Sequence, residues 1–444
     1  MNPMADEIQA VLKANDDFIY KRDYLADTAV ILLGFKTLVD FTKTMTILQK
    51  QSESFFLQGK TSEDLWCLLG EFIDGDVKSA ISAIYEGKLI IVIENIDRYL
   101  IMEPVSKMIS RSIDLPSNEN VIQGPLNSFT EDINVNIGII RKQVNSDTLS
   151  VLTYSTGQIQ KKKLSLLYID GQADHGLVDN IKRHIKKNII MDVSDLQGLS
   201  KMMEFPSWDA VSKFNPTELP SHASRLLKKG RVILFVDQMP FALILPGMLW
   251  DMFAMENDRN FPLTIMIAIR AVRVIGVLVT LVFPGLYVAL VAVNPEILQI
   301  KLALSVAQSR EGVPYPAIVE MMIMLIILEL ILEASVRLPK TIGPTITMVG
   351  GIILGQAAVE AKLVSNLLII ILAATTIANS TIVGFQNSIS IRLFKYAIVI
   401  LSAIFGVLGL VTGLVFVSAY LASLNTYGKS YLDVTNKRNE TNNG

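Results

Sequence analysis

The sequence predicts an α/β region of two related subdomains followed by an α-helical, polytopic transmembrane bundle, and three observations carry that prediction. Charge is unevenly shared: the first 260 residues hold 28 Lys/Arg and 34 Asp/Glu, and the remaining 184 hold 12 and 8. Charge density falls from about 24% to about 11%, which implies two solvents, water and then lipid. Beyond residue 260, the stretches 274–295, 341–359, 363–391 and 396–428 contain no charge; a spanning helix needs about 20 predominantly apolar residues. Before residue 260, residues 80–103 (AISAIYEGKLIIVIENIDRYLIME) align without gaps on 223–246 (ASRLLKKGRVILFVDQMPFALILP).

From the N-terminus, MNPMADEIQAVLKANDDF is polar and acidic, without the basic and apolar regions of a signal peptide. Cys67 is the single cysteine, which excludes an internal disulfide framework and suits a reducing compartment. In both copies of the repeat a short helix ends at a glycine, Gly87 or Gly230, where positive φ is favoured. A strand follows (89–93, 231–236), then an acidic or amide turn (Glu94-Asn95, Asp237-Gln238), then a second strand. This gives one subdomain over 1–122 and a second over 123–256. A helix over 125–144 bridges them, with Asn127, Ser128 or Thr130 as candidate caps. A strand over 164–169 ends at the turn signal Asp170-Gly171. The run KRHIKK (182–187) on the next helix reads as a solvated face rather than a nucleic-acid or lipid site.

The transmembrane domain is expected over 257–428 and a cytoplasmic tail over 429–444. Lys and Arg concentrate before the first span, at Arg225, Lys228, Lys229, Arg231, Arg259, Arg270 and Arg273, which keeps the large N-terminal region inside. Lys429, Lys437 and Arg438 put the tail there too, so the crossings must be even in number. Pro284 and Gly285 are expected to kink the first span, and Gly351-x-x-x-Gly355 and Gly409-x-x-x-Gly413 to pack helices closely. With 317–338 there are five candidate spans. The short stretch 341–359, with Gly343, Pro344, Gly350 and Gly351, is therefore expected to be re-entrant or interfacial, leaving four.

The segment 317–338 is the chemically distinctive one. Its 22 residues would run about 33 Å as a helix. Glu329, Glu333 and Arg337 fall on one side with Leu325, and Glu320 and Met324 on the opposite stripe. A carboxylate at membrane depth costs about 2–3 kcal/mol and needs a partner or water. These six residues are the pore or gating candidates. The blander alternative is a Glu333–Arg337 pair at a packing interface, with Glu320 at the membrane surface. Enzymatic motifs are missing: no phosphate loop, no GxGxxG after a strand, no GxSxG, and no metal spacing around His175, His184 or His222. Neither an enzyme nor a cofactor is expected.

Specific motifs then accumulate: FPGLYVAL (283–290), SREGVPYPAIVE (309–320), RLPKTIG (337–343), GQAAVEAKLVS (355–365), GPLNSFTEDINVNIGIIR (124–141), LLYIDGQAD (166–174) and KGRVILFVDQMPFALILP (229–246). Over about residues 62–432 they resemble the A subunit of GerA-type nutrient germinant receptors of bacterial endospores. Two departures stand out: Asp237-Gln238-Met239-Pro240 where that family has Asp-Gly-x-Pro, and an acidic run before the first span reduced to Glu256-Asn257-Asp258. The resemblance implies a place in the inner spore membrane with a transporter-like B subunit and a lipoprotein C subunit. It also implies a homo-oligomer of A subunits conducting monovalent cations when nutrient binds. The alternatives are a non-conducting scaffold and, more weakly, a secondary transporter, for which no inverted repeat is visible.

Overall fold

The computed structural model describes residues 3–433 apart from 26–27, 58–65, 67–68, 75, 94–97, 106–126 and 339–342. Cys67, the Glu94-Asn95 turn, Lys437 and Arg438 lie outside the described residues. The first unit contains α1 (Pro3–Leu12), β1 (Phe18–Leu25), β2 (Thr28–Phe35), α2 (Phe41–Leu57), β3 (Glu71–Asp74), α3 (Val77–Tyr85), β4 (Leu89–Ile93) and β5 (Arg98–Met102). The second contains α4 (Ile133–Val144), β6 (Leu149–Thr156), β7 (Lys162–Ile169), α5 (His175–Lys187), α6 (Leu196–Met202), β8 (Asn215–Thr217), α7 (Pro220–Lys228), β9 (Val232–Val236) and β10 (Ala242–Leu245).

Both units build antiparallel five-stranded sheets of the same order, β1-β2-β4-β5-β3 and β6-β7-β9-β10-β8. The aligned segments form α3–β4–β5 and α7–β9–β10, and the glycines ending the two helices have φ of 90° and 80°. Their inner strands, LIIVI and VILFV, are buried at every position, because helices cover both faces of each sheet. Leu166, Leu234 and Leu243 face α5 and α6, while Leu167, Ile233 and Ile244 face α4 and α7.

The bridging helix is shorter than the sequence suggested, and its cap is a different residue. It starts at Ile133 because Asp132 accepts from Asn134 N, whereas the Thr130 amide and carbonyl are both taken by the Asn136 side chain. Gln238 has a left-handed φ of 68°, its N–H donating to Glu131 O at 2.9 Å.

One buried ion pair ties the two units together. Arg141 on α4 reaches both carboxylate oxygens of Asp17, at 2.6 and 2.8 Å, and Asn15 Oδ1 at 3.0 Å, while lying 3.8 Å from the Phe35 ring centroid. Thr37 also donates to Asp17, at 2.7 Å. Around this pair Asp16 N donates to Val151 O and Tyr85 Oη to Asp147 O.

Two 3-10 turns, Leu249–Phe253 and Glu256–Asn260, lead into the bundle. Its helices are α8 (Leu263–Val288, prolonged by a π turn, Ala289–Val293), α9 (Ile300–Ser309), α10 (Ala317–Arg337), α11 (Gly343–Glu360), α12 (Asn366–Asn379) and α13 (Phe385–Ser423). Among the described residues, Leu263–Val293 and Phe385–Ser423 are long and apolar enough to cross a membrane.

Two of the charge-free runs do not form single helices. The run 363–391 is a helix, a turn and the start of another helix. Within 396–428 the chain doubles back at Gly406 (φ 60°, ψ −137°). The rings of Phe394 and Tyr420 lie 5.7 Å apart, and a Cβ on Gly413 would sit 3.4 Å from Ile398 Cα. Thus 385–405 and 407–423 form an antiparallel hairpin. Asn294 holds its tip, Oδ1 accepting from Val407 N at 3.1 Å. Among the described residues α8, α10, α11, α12 and the two legs of α13 are the longer helical segments of the bundle. The described part of 341–359 lies in α11. Charge-free length reveals apolarity but not direction, so the hairpin looked like one span. The C-terminal segment returns to the α/β side: Tyr427 Oη donates to Met203 O at 2.5 Å and Lys429 pairs with Asp174 at 2.7 Å.

Removing either partner of the Asp17–Arg141 pair strands a buried charge, which costs about 3–5 kcal/mol. Asp17→Ala and Arg141→Ala should each lower the unfolding midpoint of the detergent-solubilised protein strongly. The double variant should lose less than the sum of the two.

Candidate functional site

The charged helix α10 places its three carboxylates in three different environments, each facing an arginine of the same chain. Pro316 precedes the helix and Pro339 follows it, bounding the segment in the sequence. Glu320 is fully buried. Its Oε1 accepts from Ser365 N at 2.5 Å, and its Oε2 lies 3.3 Å from Arg310 Nε and 3.4 Å from the Tyr287 hydroxyl. Tyr287 in turn meets Ser365 Oγ at 3.0 Å, and Ser365 caps α12 by accepting from Leu368 N. Glu320 therefore joins α8, α10 and the N-terminus of α12 at the end of the bundle remote from the sheets. It is a buried junction between helices.

Glu329, half-exposed, pairs with Arg392 at 2.7 Å. Close by, Tyr396 Oη donates to Leu325 O at 3.3 Å, and buried Lys395 holds its ammonium 5.2 Å from the Tyr396 ring. Farther along α10, Glu333 and Arg337 pair at 2.6 Å with side chains 58% and 77% exposed. Exposure rises along the helix from its Glu320 end to its Arg337 end. Met324 and Leu325 do not share this surface: both are buried against α8 and α12 neighbours such as Val288 and Leu368.

The other positions singled out in the sequence separate clearly. Pro284 lies within α8, five residues before the π turn. A Cβ on Gly285 would stand 2.8 Å from Ser402 Oγ, so this glycine lets the first leg of α13 approach α8. Gly409 and Gly413 serve the α13 hairpin, where a Cβ on Gly409 would meet Leu401 O at 2.0 Å. Gly351 and Gly355 have open space where a Cβ would be. The sequence reading missed Arg310, Arg392, Lys395, Tyr287 and Ser365. Its available signal was charge balance: three carboxylates in an apolar domain require three cations.

A second charged layer joins bundle and sheets. Asp251 receives Arg231 in a two-pronged pair at 2.7 and 2.9 Å, and Arg225 Nε reaches Glu256 at 2.6 Å. Arg273 of α8 grips buried Asp258 at 2.5 and 2.8 Å. His222 lies in this layer; burial and then the Arg225 guanidinium push its imidazole down to about 4. A cavity of about 620 Å³ opens beside the layer, between β8 and the bundle, with Asn215, Phe241, Val336 and Phe385 in its wall. Among the described residues no group of three or more His, Cys, Asp or Glu side chains could hold a metal ion.

Comparison with known proteins adds three findings. The family model described as "Bacillus/Clostridium GerA spore germination protein" matches residues 6–442. The chain is 33% identical to the uncharacterized membrane protein YfkQ of Bacillus subtilis over 81% of its length and 70% of the relative's. It is 28% identical to spore germination protein A1 of the same organism over 95% of its length and 87% of the relative's. Among solved structures, the N-terminal domain of the A subunit of the Bacillus megaterium spore germinant receptor GerK3 aligns at 19% identity. That alignment has a TM-score of 0.39 and covers 55% of this chain and 93% of that one.

Two outcomes follow from this geometry. Glu320→Ala should destabilise the solubilised protein by about 3 kcal/mol, because it leaves Arg310 and Ser365 N unpartnered. Glu320→Gln, which keeps an acceptor, should cost less. For His222, the native state holds the ring neutral while the unfolded chain takes up a proton around pH 6.5. Its contribution to stability is therefore complete above that value, declines as pH falls toward 4 and levels off below. Thermal unfolding measured against pH should lose part of this slope in His222→Gln.

Proposed function

The chain belongs to the GerA family of spore germination proteins, and from that premise we propose that it is the A subunit of a nutrient germinant receptor. In this reading it crosses the inner spore membrane six times with its α/β region on the core side. It assembles with a transporter-like B subunit, a lipoprotein C subunit and further copies of itself. The copies surround a cation path lined by α10.

One observation carries the reading. Glu333 and Arg337 are among the most exposed side chains of a 21-residue helix whose other outward residues, such as Ile323, Ile326 and Leu330, are apolar. Hydrocarbon would oppose such a pair at membrane depth, whereas a neighbouring copy or an aqueous lumen would accept it. Acidic rings raise local cation concentration and offer replaceable ligands. The open face at Gly351 and Gly355 on α11 supports close approach of another copy. Val336, near the end of α10, shares the junction cavity with β8, giving the α/β region a route by which to act on the helix.

The scaffold reading is favoured by a different fact: Glu320, Glu329 and Glu333 are each paired with an arginine of the same chain, which weakens their pull on passing cations. Single-channel recording of reconstituted receptor separates the two. For a channel, Glu329→Gln and Glu333→Gln should each lower cation over anion selectivity severalfold, while Arg392→Gln should raise it by freeing Glu329. Unchanged selectivity in all three would remove α10 from the path. Absence of conductance from every reconstituted complex would favour the scaffold.

A further inference from the structure

One large apolar side chain in the second α/β unit has no packing partner, although its backbone surroundings are firmly held. Trp208 is 96% exposed. It projects from the loop 206–211, which is pinned to the bundle. Ala210 N donates to Tyr420 Oη at 2.9 Å, Ser390 Oγ donates to Ala210 O at 2.6 Å, and Val211 is buried in the cluster that contains Met252 and Ile391. The other two tryptophans differ. Trp66 is buried, and Trp250 is half-exposed on the connector beside α8.

The depth of the loop follows from helix geometry. Ser390 lies five residues inside the start of α13 and Tyr420 three residues before its end, about 7 Å and about 5 Å along the axis. The headgroup layer on each side of a bilayer is about 5–7 Å thick. Ala210 is thus bound where the two legs would pass from hydrocarbon into headgroups, with Trp208 two residues away. Phe385 and Trp250, 60% and 47% exposed, mark the same end of the bundle.

We propose that Trp208 is an interfacial anchor, seated in the headgroup layer of the bilayer and fixing the second α/β unit against the membrane surface. An indole suits that layer: its ring packs against the upper acyl carbons while its N–H donates to ester or phosphate oxygens. Water offers the ring nothing comparable. The loop cannot withdraw without breaking both backbone bonds at Ala210. The anchor rests on the membrane reading given above, and it adds a lipid contact made by the α/β unit rather than by the bundle.

The test uses full-length protein in liposomes, with lipids brominated near the glycerol or not. Trp66→Phe/Trp250→Phe leaves Trp208 as the sole tryptophan, excited on the red side of tyrosine absorption. Its emission should be blue-shifted from that of indole in water, quenched by the bromolipid and shielded from aqueous iodide. Should that variant misfold, subtracting the bromolipid quench of Trp208→Phe from that of the unaltered protein gives the same quantity, with only an exposed residue changed. Protein that floats with the liposomes yet shows a water-like, iodide-quenched Trp208 overturns the anchor while leaving the membrane reading intact. Protein that does not float overturns both. Iodide access that disappears only when other receptor subunits are added also overturns it, in favour of a protein pocket.

Discussion

Asp258 lies almost fully buried between the first bundle helix and the segment that leads into it, with two nitrogens of Arg273 against its two oxygens. A carboxylate in that position is tolerable only when its charge is matched and its lone pairs are used. The same segment carries Asp251 and Glu256, held by Arg231 and Arg225 from the second sheet unit. The connector is therefore a short acidic strip gripped from both sides. Its path is fixed by ion pairs rather than by apolar packing alone. The spacing of the sheet relative to α8 depends on these three pairs, and so does the shape of the cavity beside them.

The same rule governs the bundle interior. Each carboxylate of α10 meets a guanidinium, but the guanidinium comes from a different element each time: the loop after α9, the first leg of α13, and α10 itself. Glu320 is sealed and also bonded to α12 through Ser365, so it acts as a fixed joint. Among the described residues Glu333 and Arg337 are tied only to one another along one helix face, where i,i+4 pairs contribute a few tenths of a kcal/mol in water. The helix thus runs from a rigid end to an adaptable one. A gating element needs that asymmetry, and a static scaffold has no use for it. This is why the channel reading stands first despite the internal neutralisation.

Local signals in the sequence reached far into the α/β half. The apolar runs at 89–93 and 232–236 are the central strands, and the two glycines after α3 and α7 turn where expected, since burial and positive φ are properties a residue type declares by itself. Long-range facts were not legible in the same way. Nothing local distinguishes Asp132 from Thr130 as a cap until Asn136 occupies the threonine's backbone groups. Gly406 is one glycine among several in an apolar stretch, and only the fold, with Asn294 from over a hundred residues earlier bonded at the tip, shows it to be the reversal point. The charges within 317–338 drew notice, yet their partners Arg310 and Arg392 come from elements whose placement requires the fold.

Tyr427 enters a slot in the second α/β unit, stacked on His184 at 5.0 Å and set against Phe205. Because that slot is built by residues some 220 positions earlier and filled only after the final helix, the unit lacks this one aromatic contact until the end of the chain is made. A nascent chain carries the slot open until residue 427 is made. Placement of the last hairpin and closure of this slot are then linked. A chain that stalls before residue 427, or inserts that hairpin wrongly, keeps an apolar gap next to Phe205 and so exposes its own failure to chaperones and proteases.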